Sequence, residues 1–384
     1  MSALLPVYAR SDLKFDKGEG AYLYTDNGKK YLDFAAGIAV NALGHSHPHL
    51  VSELQDQVGK LWHVSNMYKI HGMERLAQTI ADNSFASYTF FCNSGVEAVE
   101  CGLKMIRKYH DETGNPEKFR VISFEGCFHG RSLAGISAGK KDKLMKGFEP
   151  AAEGFDQVPF EDIEAVKNAI TPETGGIIIE PIIGEGGIKV ASKKFMQELR
   201  ALCDEKGILL FLDEIQCGMG RTGTFFAYEL SDIEPDILAS AKGIGNGFPL
   251  GACLFNEKVG SVLPTGCHGS TYGGNPLAMR VGNAVMDIML ADGFLDNVKE
   301  IGAYLVEELE KLIEQYPDQI DSVRGEGLMI GLRFKSDGKE YTQKFREVGL
   351  LTAPAADNIV RILPPLIITK EHVDEAISKI KEAL

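Results

Sequence analysis

Asp236-Ile237-Leu238-Ala239-Ser240-Ala241-Lys242-Gly243-Ile244-Gly245-Asn246-Gly247 is a short apolar run that stops at one lysine inside a glycine-rich turn. A lysine at the end of a buried strand, where the backbone bends freely, can serve as an amine nucleophile. Taken alone, a solvated loop lysine explains the stretch as well. Upstream, Gly207-Ile208-Leu209-Leu210-Phe211-Leu212-Asp213-Glu214 reads as a fully buried strand ending in a carboxylate. Ligands of open α/β sheets bind outside the carboxyl ends of the strands, so Asp213 and Lys242 are expected to face one crevice. An acid and an amine there suggest a cofactor.

The strand and helix patterns around this pair alternate. Tyr88–Cys92, Phe119–Phe124 and Gly176–Glu180 read as further strands, and Phe195, Leu199, Leu202 and Cys203 as one face of a helix. That alternation implies parallel βαβ units. Before it, residues 13 to 34 alternate apolar and polar around Asp26-Asn27-Gly28, a hairpin signal. Beyond Pro276, Val298, Ile301, Leu305, Leu309, Leu312 and Tyr316 mark a long amphipathic helix. Ile320–Phe334 reads as one strand, Ser336-Asp337-Gly338 as a turn, Asn358–Leu363 as a strand and Glu371–Leu384 as a closing helix. A second α+β lobe, packed with the N-terminal hairpin, is expected.

The chain has 384 residues, 44% hydrophobic and 24% charged, which suits two globular lobes. Its net charge of -14 argues against nucleic acid or anionic membrane as partner, because both need a basic patch. Seven cysteines, an odd number without a C-x-x-C pair, argue against a disulfide framework or zinc ribbon. The start, Met1-Ser2-Ala3-Leu4-Leu5-Pro6, has no secretory-signal pattern, and no later run approaches membrane-spanning length. A cytoplasmic protein acting on small molecules is expected.

Several local motifs carry two readings. Ser94 and Glu97 form a capping box, yet the Ser-Gly turn also offers free N–H groups and a positive dipole end to a phosphate. Phe128 and His129 with Arg131 suit a flat ring and a carboxylate, or a packed aromatic and a surface cation. Gly44-His45-Ser46-His47-Pro48-His49 invites a metal reading, but no carboxylate or cysteine follows at ligand spacing and Pro48 opens a helix. No metal is expected. Gly218-Met219-Gly220-Arg221-Thr222-Gly223 fits G-x-G-x-x-G without the long helix that should follow. Gly135-Ile136-Ser137-Ala138-Gly139 fits a hydrolase elbow with His268 or His372 as base, but Lys140, Lys141, Asp142 and Lys143 stand where the buried helix should begin. A Ser137 hydrolase stays as a remote alternative. Gly135 to Lys140 also falls one residue short of a Walker A loop.

At Asn93-Ser94-Gly95, Phe128-His129-Gly130-Arg131, Asp213-Glu214-Ile215-Gln216, Ala241-Lys242 and Ser270-Thr271-Tyr272-Gly273-Gly274-Asn275-Pro276, the chain resembles the class III aminotransferases that use pyridoxal phosphate. The likeness runs from about Gly18 to the C-terminus and extends to Leu61-Trp62-His63, Gly184-Glu185-Gly186-Gly187 and Cys217 to Gly223. It implies a fold-type I α/β transferase. A large domain of residues 50–284 would hold a mostly parallel seven-stranded sheet, and residues 1–49 with 285–384 a smaller α+β domain.

By the same resemblance, Lys242 would hold the cofactor covalently and shuttle the reaction's proton, and Asp213 would pair with the ring nitrogen. Ser94, Gly95, Val96, Phe128, Glu214, Ile215 and Gln216 would complete the cofactor site: Gly95 and Val96 on the phosphate, Phe128 on the ring face, Gln216 on the ring hydroxyl. Val96 replaces the commoner threonine, which removes one phosphate bond. Thr271 would come from the neighbouring subunit, making a homodimer obligatory. Arg131 and Ser270 match contacts to acetylornithine. Arg361 matches an arginine for the α-carboxylate of glutamate or 2-oxoglutarate, with Glu185 as the switch that pairs with it. The implied reaction moves the δ-amino group of N2-acetylornithine to 2-oxoglutarate, with ornithine, succinylornithine or 4-aminobutyrate as alternative donors. Ornithine transaminases usually carry an aromatic near Gly37-Ile38, so its absence favours the acylated donor.

Overall fold

Seven strands form the central sheet, in the order Tyr88–Cys92, Gly251–Phe255, Ile237–Ser240, Leu209–Asp213, Thr174–Ile179, Arg120–Phe124 and Phe155–Val158. Gly251–Phe255 pairs antiparallel with both neighbours and every other pairing is parallel. Six strands therefore run one way, and the turns after Cys92, Phe124, Ile179, Asp213 and Ser240 leave from one edge. The structure, a computed structural model, describes residues 3–139 and 142–384. Met1, Ser2 and the Lys140 and Lys141 of the elbow and Walker readings lie outside the described residues.

The strands are apolar because helices cover both faces. Leu209, Leu210, Phe211 and Leu212 are all inaccessible. The helix Gly95–Glu112 presents the expected Val99, Leu103, Ile106 and His110 to the sheet. It lies close because Gly102 has no side chain: a Cβ there would stand 2.3 Å from the Phe211 ring. Its N-cap is Ser94, whose Oγ accepts the Glu97 N–H at 3.4 Å. The reciprocal bond differs from a capping box. Glu97 takes the N–H of Asn93 at 2.9 Å, one residue before the N-cap.

Both chain ends build the remaining sheets. Phe15–Glu19, Tyr22–Thr25 and Lys30–Asp33 form the expected antiparallel unit, extended by Leu350–Leu351 in parallel with Lys30–Asp33. The expected single strand Ile320–Phe334 is instead a hairpin, Ile320–Glu326 and Met329–Phe334, because Gly327 adopts a positive φ and reverses the chain. Ser336-Asp337-Gly338 is not a free turn. Asp337 caps a helix, Gly338–Glu347, which escaped the periodicity reading. Ile359–Ile362 joins the hairpin, and the helices Phe294–Gln315 and Lys370–Ala383 close the C-terminal part. Among the described residues no helix is long and apolar enough to cross a membrane.

Between the N-terminal hairpin and the central sheet, the backbone does something uncommon. Ala36, Gly37, Ile38 and Ala39 all have positive φ (47, 66, 65 and 61°), and Ala39 and Val40 donate N–H bonds four residues back, to Ala35 and Ala36. This is one turn of left-handed helix, which costs about 1–2 kcal/mol for each residue other than glycine. Asp33 holds it. One carboxylate oxygen accepts the N–H groups of Ala35 (3.1 Å) and Ala36 (2.9 Å), and the other meets His45 Nε2 at 2.8 Å. His45 thus serves the backbone, while His49 lies 3.5 Å from Asp287. Asp33→Ala should lower stability by about 2 kcal/mol, since it strands one buried and one half-buried donor on a strained turn. Denaturant melts against wild type measure this, and an unchanged midpoint would show that the turn is held by its neighbours alone.

Candidate active site

The carboxyl edge of the sheet opens into a cavity of about 660 Å³. Its wall includes Ser94, Gly95 and Val96 from one strand-to-helix turn, Phe128 and Arg131 from the next, Glu180, Asp213, Ile215, Gln216 and Lys242. The topology explains the convergence: each group follows the end of a different parallel strand.

Asp213 is the last residue of its strand and is 3% exposed. Its Oδ2 meets His129 Nδ1 at 2.8 Å and its Oδ1 accepts the Ile215 N–H at 3.2 Å. Burial disfavours the charged form of His129, yet the neighbouring Cys127 and Asp213 side chains raise its pKa well above the ordinary range. The His129 imidazole thus fixes one Asp213 oxygen from within the protein. Glu214, expected among the cofactor contacts, is not in the cavity wall. Successive side chains of a strand point to opposite faces, so Asp213 facing in sends Glu214 out. Its inaccessible carboxylate accepts the N–H groups of Ala227 (2.5 Å) and Tyr228 (2.8 Å), and burial pushes its pKa up to about 8.

Lys242 has φ 51° and opens a single 3-10 turn. Among the described residues its amine makes no hydrogen bond or ion pair. Burial, and next the Arg361 charge, lower its pKa to about 8, so a sizeable neutral fraction exists near neutral pH.

The N–H groups of Gly95 and Val96 are among the four that a helix leaves without an intrahelical acceptor, and they open onto the cavity. Arg131 is exposed, with its guanidinium 5.7 Å from the Phe128 ring centre. Arg361 and Glu185 are not in the cavity wall but adjoin it through Gln216: Arg361 is 2% exposed and donates to Glu185 Oε1 (2.7 Å), Gln216 Oε1 (3.2 Å) and the Pro354 carbonyl (2.9 Å). Ser270 stays outside the cavity wall. Its Oγ accepts the Gly273 N–H at 2.9 Å and lies 3.3 Å from the amide nitrogen of Asn93, which does line the wall. Thr271 is exposed in a separate cleft with His63, Ser65, Asn66 and Met67.

His129 in its bond to Asp213, Glu180 and Asn93 were not singled out from sequence. Glu180 carried a usable signal, since an apolar strand ending in a carboxylate is the pattern that identified Asp213. The Ser137 elbow is excluded. Ser137 lies within the helix Leu133–Gly139, donates to the Leu133 carbonyl (2.7 Å) and accepts from Ala152 N (2.8 Å), leaving no free hydroxyl for attack. His268 is engaged with Lys104 and His372 with Thr369.

A helix terminus for phosphate, a buried carboxylate for a pyridinium nitrogen, an aromatic side chain and a neutral-capable amine fit pyridoxal phosphate. Fold and site together define a fold-type I enzyme that uses this cofactor. The chain belongs to the class III aminotransferases: the family model Aminotransferase class-III matches residues 7–384. It is a transaminase, and pyridoxal phosphate is its cofactor. It is 53% identical to the acetylornithine aminotransferase of Agrobacterium fabrum over 380 residues, 99% of this chain and 95% of that protein. It is 46% identical to that of Aquifex aeolicus over 385 residues, all of both. Among solved structures, the N-acetylornithine aminotransferase of Stenotrophomonas maltophilia matches with a TM-score of 0.86 at 35% identity, over 98% of this chain and 96% of that one. The ornithine aminotransferase of Toxoplasma gondii matches with a TM-score of 0.95 at 29% identity, over 99% and 92%.

The site electrostatics make one sign-definite prediction. Arg361 disfavours the Lys242 ammonium, so Arg361→Met should raise the Lys242 pKa above its value of about 8. The pH dependence of Lys242 acylation in cofactor-stripped protein, followed by peptide mass spectrometry, measures it. An unmoved midpoint would leave burial as the sole cause.

Proposed function

We propose that this protein transfers the δ-amino group of N2-acetyl-L-ornithine to 2-oxoglutarate, giving N-acetyl-L-glutamate 5-semialdehyde and L-glutamate in arginine biosynthesis. The observation that carries the reading is the pair of buried Arg361 and partly exposed Glu185, 2.7 Å apart beside Gln216. One pocket must accept two unlike substrates in turn. Glutamate needs a free guanidinium for its α-carboxylate. The aminoalkyl end of acetylornithine has no carboxylate there, and Glu185 then prevents a buried unpaired charge. The 53% identity to an acetylornithine aminotransferase supports this donor over ornithine, which the 0.95 fold match keeps as the competing substrate.

Bound pyridoxal phosphate supplies an electron sink conjugated to the substrate carbon. In this reading Lys242 anchors it, then as free amine takes and returns the proton at that carbon. Asp213, oriented by His129, would pair with the ring nitrogen and favour a proton there. Ser94, Gly95 and Val96 bind phosphate, Phe128 covers the ring, Gln216 meets the ring hydroxyl, and Arg131 with Ser270 receives the acetylated end. Ser270 borders the cavity through Asn93.

The assembly is a homodimer, in which Thr271 of the partner subunit completes the phosphate site. Its exposure outside its own chain's cavity, near exposed Trp62, Met67 and Tyr272, supports this. Residues 50–284 form the cofactor domain, and residues 1–49 with 285–384 the smaller one. The location is the cytoplasm, in keeping with seven free cysteines.

Lys242→Ala should remain folded, bind the cofactor only noncovalently and lose nearly all turnover, and borohydride should fix the cofactor of wild type on the Lys242 peptide alone. Labelling of another lysine would end the assignment. Arg361→Ala should slow mainly the glutamate half-reaction and Glu185→Ala mainly the acetylornithine half, each read in single turnover from cofactor absorbance. Equal slowing of both halves by both variants would reduce the pair to a structural contact. Multiple-turnover assays across acetylornithine, ornithine, succinylornithine and 4-aminobutyrate test the donor itself.

A further inference from the structure

Glu180 follows the strand Thr174–Ile179 and is 5% exposed at the cavity wall. No cation neutralises it through an ion pair among the described residues. Its two oxygens instead serve two separate segments. Oε1 accepts the Phe128 N–H at 2.7 Å, and Oε2 accepts the Gly184 N–H at 3.2 Å. Each segment leads to one end of the site. Phe128 is followed by His129, the partner of Asp213. Gly184 precedes Glu185 and packs so tightly on Gln216 that a Cβ would stand 2.4 Å from its amide nitrogen. Gln216 and Glu185 are the two side chains that hold Arg361.

Burying a carboxylate without an ion pair is unfavourable: burial and the nearby Asp213 charge push the Glu180 pKa up to about 7, against the His129 charge and the two backbone N–H bonds, which lower it. A neutral side chain would avoid that cost but would not match the site. Glutamine offers one acceptor oxygen and turns an NH₂ toward the other N–H; aspartate is a methylene shorter and cannot span both.

We infer that Glu180 is a positioning residue that fixes the ring end of the site, Phe128 with His129 and Asp213, against its carboxylate end, Glu185 with Gln216 and Arg361. It touches no reacting atom in this scheme. It sets the register between the surface that carries the ring and the switch that admits the second substrate. The inference rests on the proposed alternation of Arg361 and Glu185 for its kinetic consequence, but not for its structural one.

The test compares Glu180→Gln and Glu180→Asp with wild type by two independent readouts. Amide hydrogen exchange of the cofactor-stripped protein should rise about tenfold or more at Phe128, Gly184 or both, the factor expected when a hydrogen bond to a charged acceptor is lost. In the holoenzyme, the visible circular dichroism of the bound cofactor should weaken, and the ratio of the two half-reaction rates should move about tenfold away from wild type. Aspartate, keeping the charge and one bond, should show the same pattern to a smaller degree, and it serves alone where the glutamine variant does not fold. Wild-type exchange at both amides would overturn the inference. So would an unchanged dichroism and rate ratio with only a lower melting temperature, the signature of a merely structural carboxylate. Faster exchange in the variants, in a protein whose wild type does not turn over acetylornithine, would leave the positioning role standing and remove the proposed donor instead.

Discussion

The contact between Asp213 and His129 is the constraint on which the site depends. A carboxylate that is 3% exposed must find partners within the protein for its oxygens. The imidazole at 2.8 Å fixes one oxygen and the Ile215 N–H at 3.2 Å holds the other, which sets the orientation of the group at the cavity wall. Both partners must arrive from different strands, so the pair exists only if Leu209–Asp213 and Arg120–Phe124 run parallel across Thr174–Ile179. The sheet order is thus a chemical requirement as much as an architectural one. Removing one partner of a buried pair costs far more than the pair's net worth, which makes this register hard to alter piecemeal.

From there the polarity of the cavity follows. One wall is positive through the helix dipole at Gly95 and Val96, Asp213 lines the cavity, and Arg361 stands behind the wall, bonded to Gln216. Lys242 stands between an acid that raises its pKa and a guanidinium that lowers it, with burial added to the latter. Burial is the larger cause, so the same amine at an exposed strand end would keep its proton. The glycine-rich turn gives it reach, and its neighbours make it reactive.

Much of this was legible in the chain itself. Asp213 and Lys242 were readable because each ends a run of buried apolar residues, and the helix after Ser94 because its apolar spacing follows the helical period. Local chemistry also located the Asp26-Asn27-Gly28 hairpin and the Pro48 helix start, both realised. What stayed hidden depends on contacts far apart in sequence. Nothing local distinguishes Glu214 from Asp213 as the inward-facing carboxylate, since only the strand's orientation in the sheet decides which side chain looks into the cavity. Nor could spacing reveal that His129 reaches Asp213. The missed reversal at Gly327 has a local cause, a positive φ, and the pair Gly325 and Gly327 was the signal for it inside an otherwise β-like pattern.

The junction between the central sheet and the chain ends bears on how one pocket serves two substrates. Arg221 is 2% exposed with no acidic partner among the described residues, and burial lowers its pKa to about 9. Its guanidinium donates to the carbonyls of Leu328 and Pro364, and its own carbonyl accepts the Leu328 N–H at 2.9 Å. Close by, Leu363 donates to Phe34 and Leu366 to Ala42, at 2.7 and 2.6 Å. Swinging the C-terminal part away would break these bonds together and leave a buried cation without acceptors, a cost of several kcal/mol. In the proposed alternation, swinging Glu185 aside would break one ion pair whose acid is already 35% exposed, and an incoming carboxylate would replace it on Arg361. The second movement is the cheaper by a wide margin. The bonds around Arg221 therefore favour, within the proposed alternation, a movement of the Glu185 side chain over one of the C-terminal part, with Lys242, Asp213 and the helix terminus left in place.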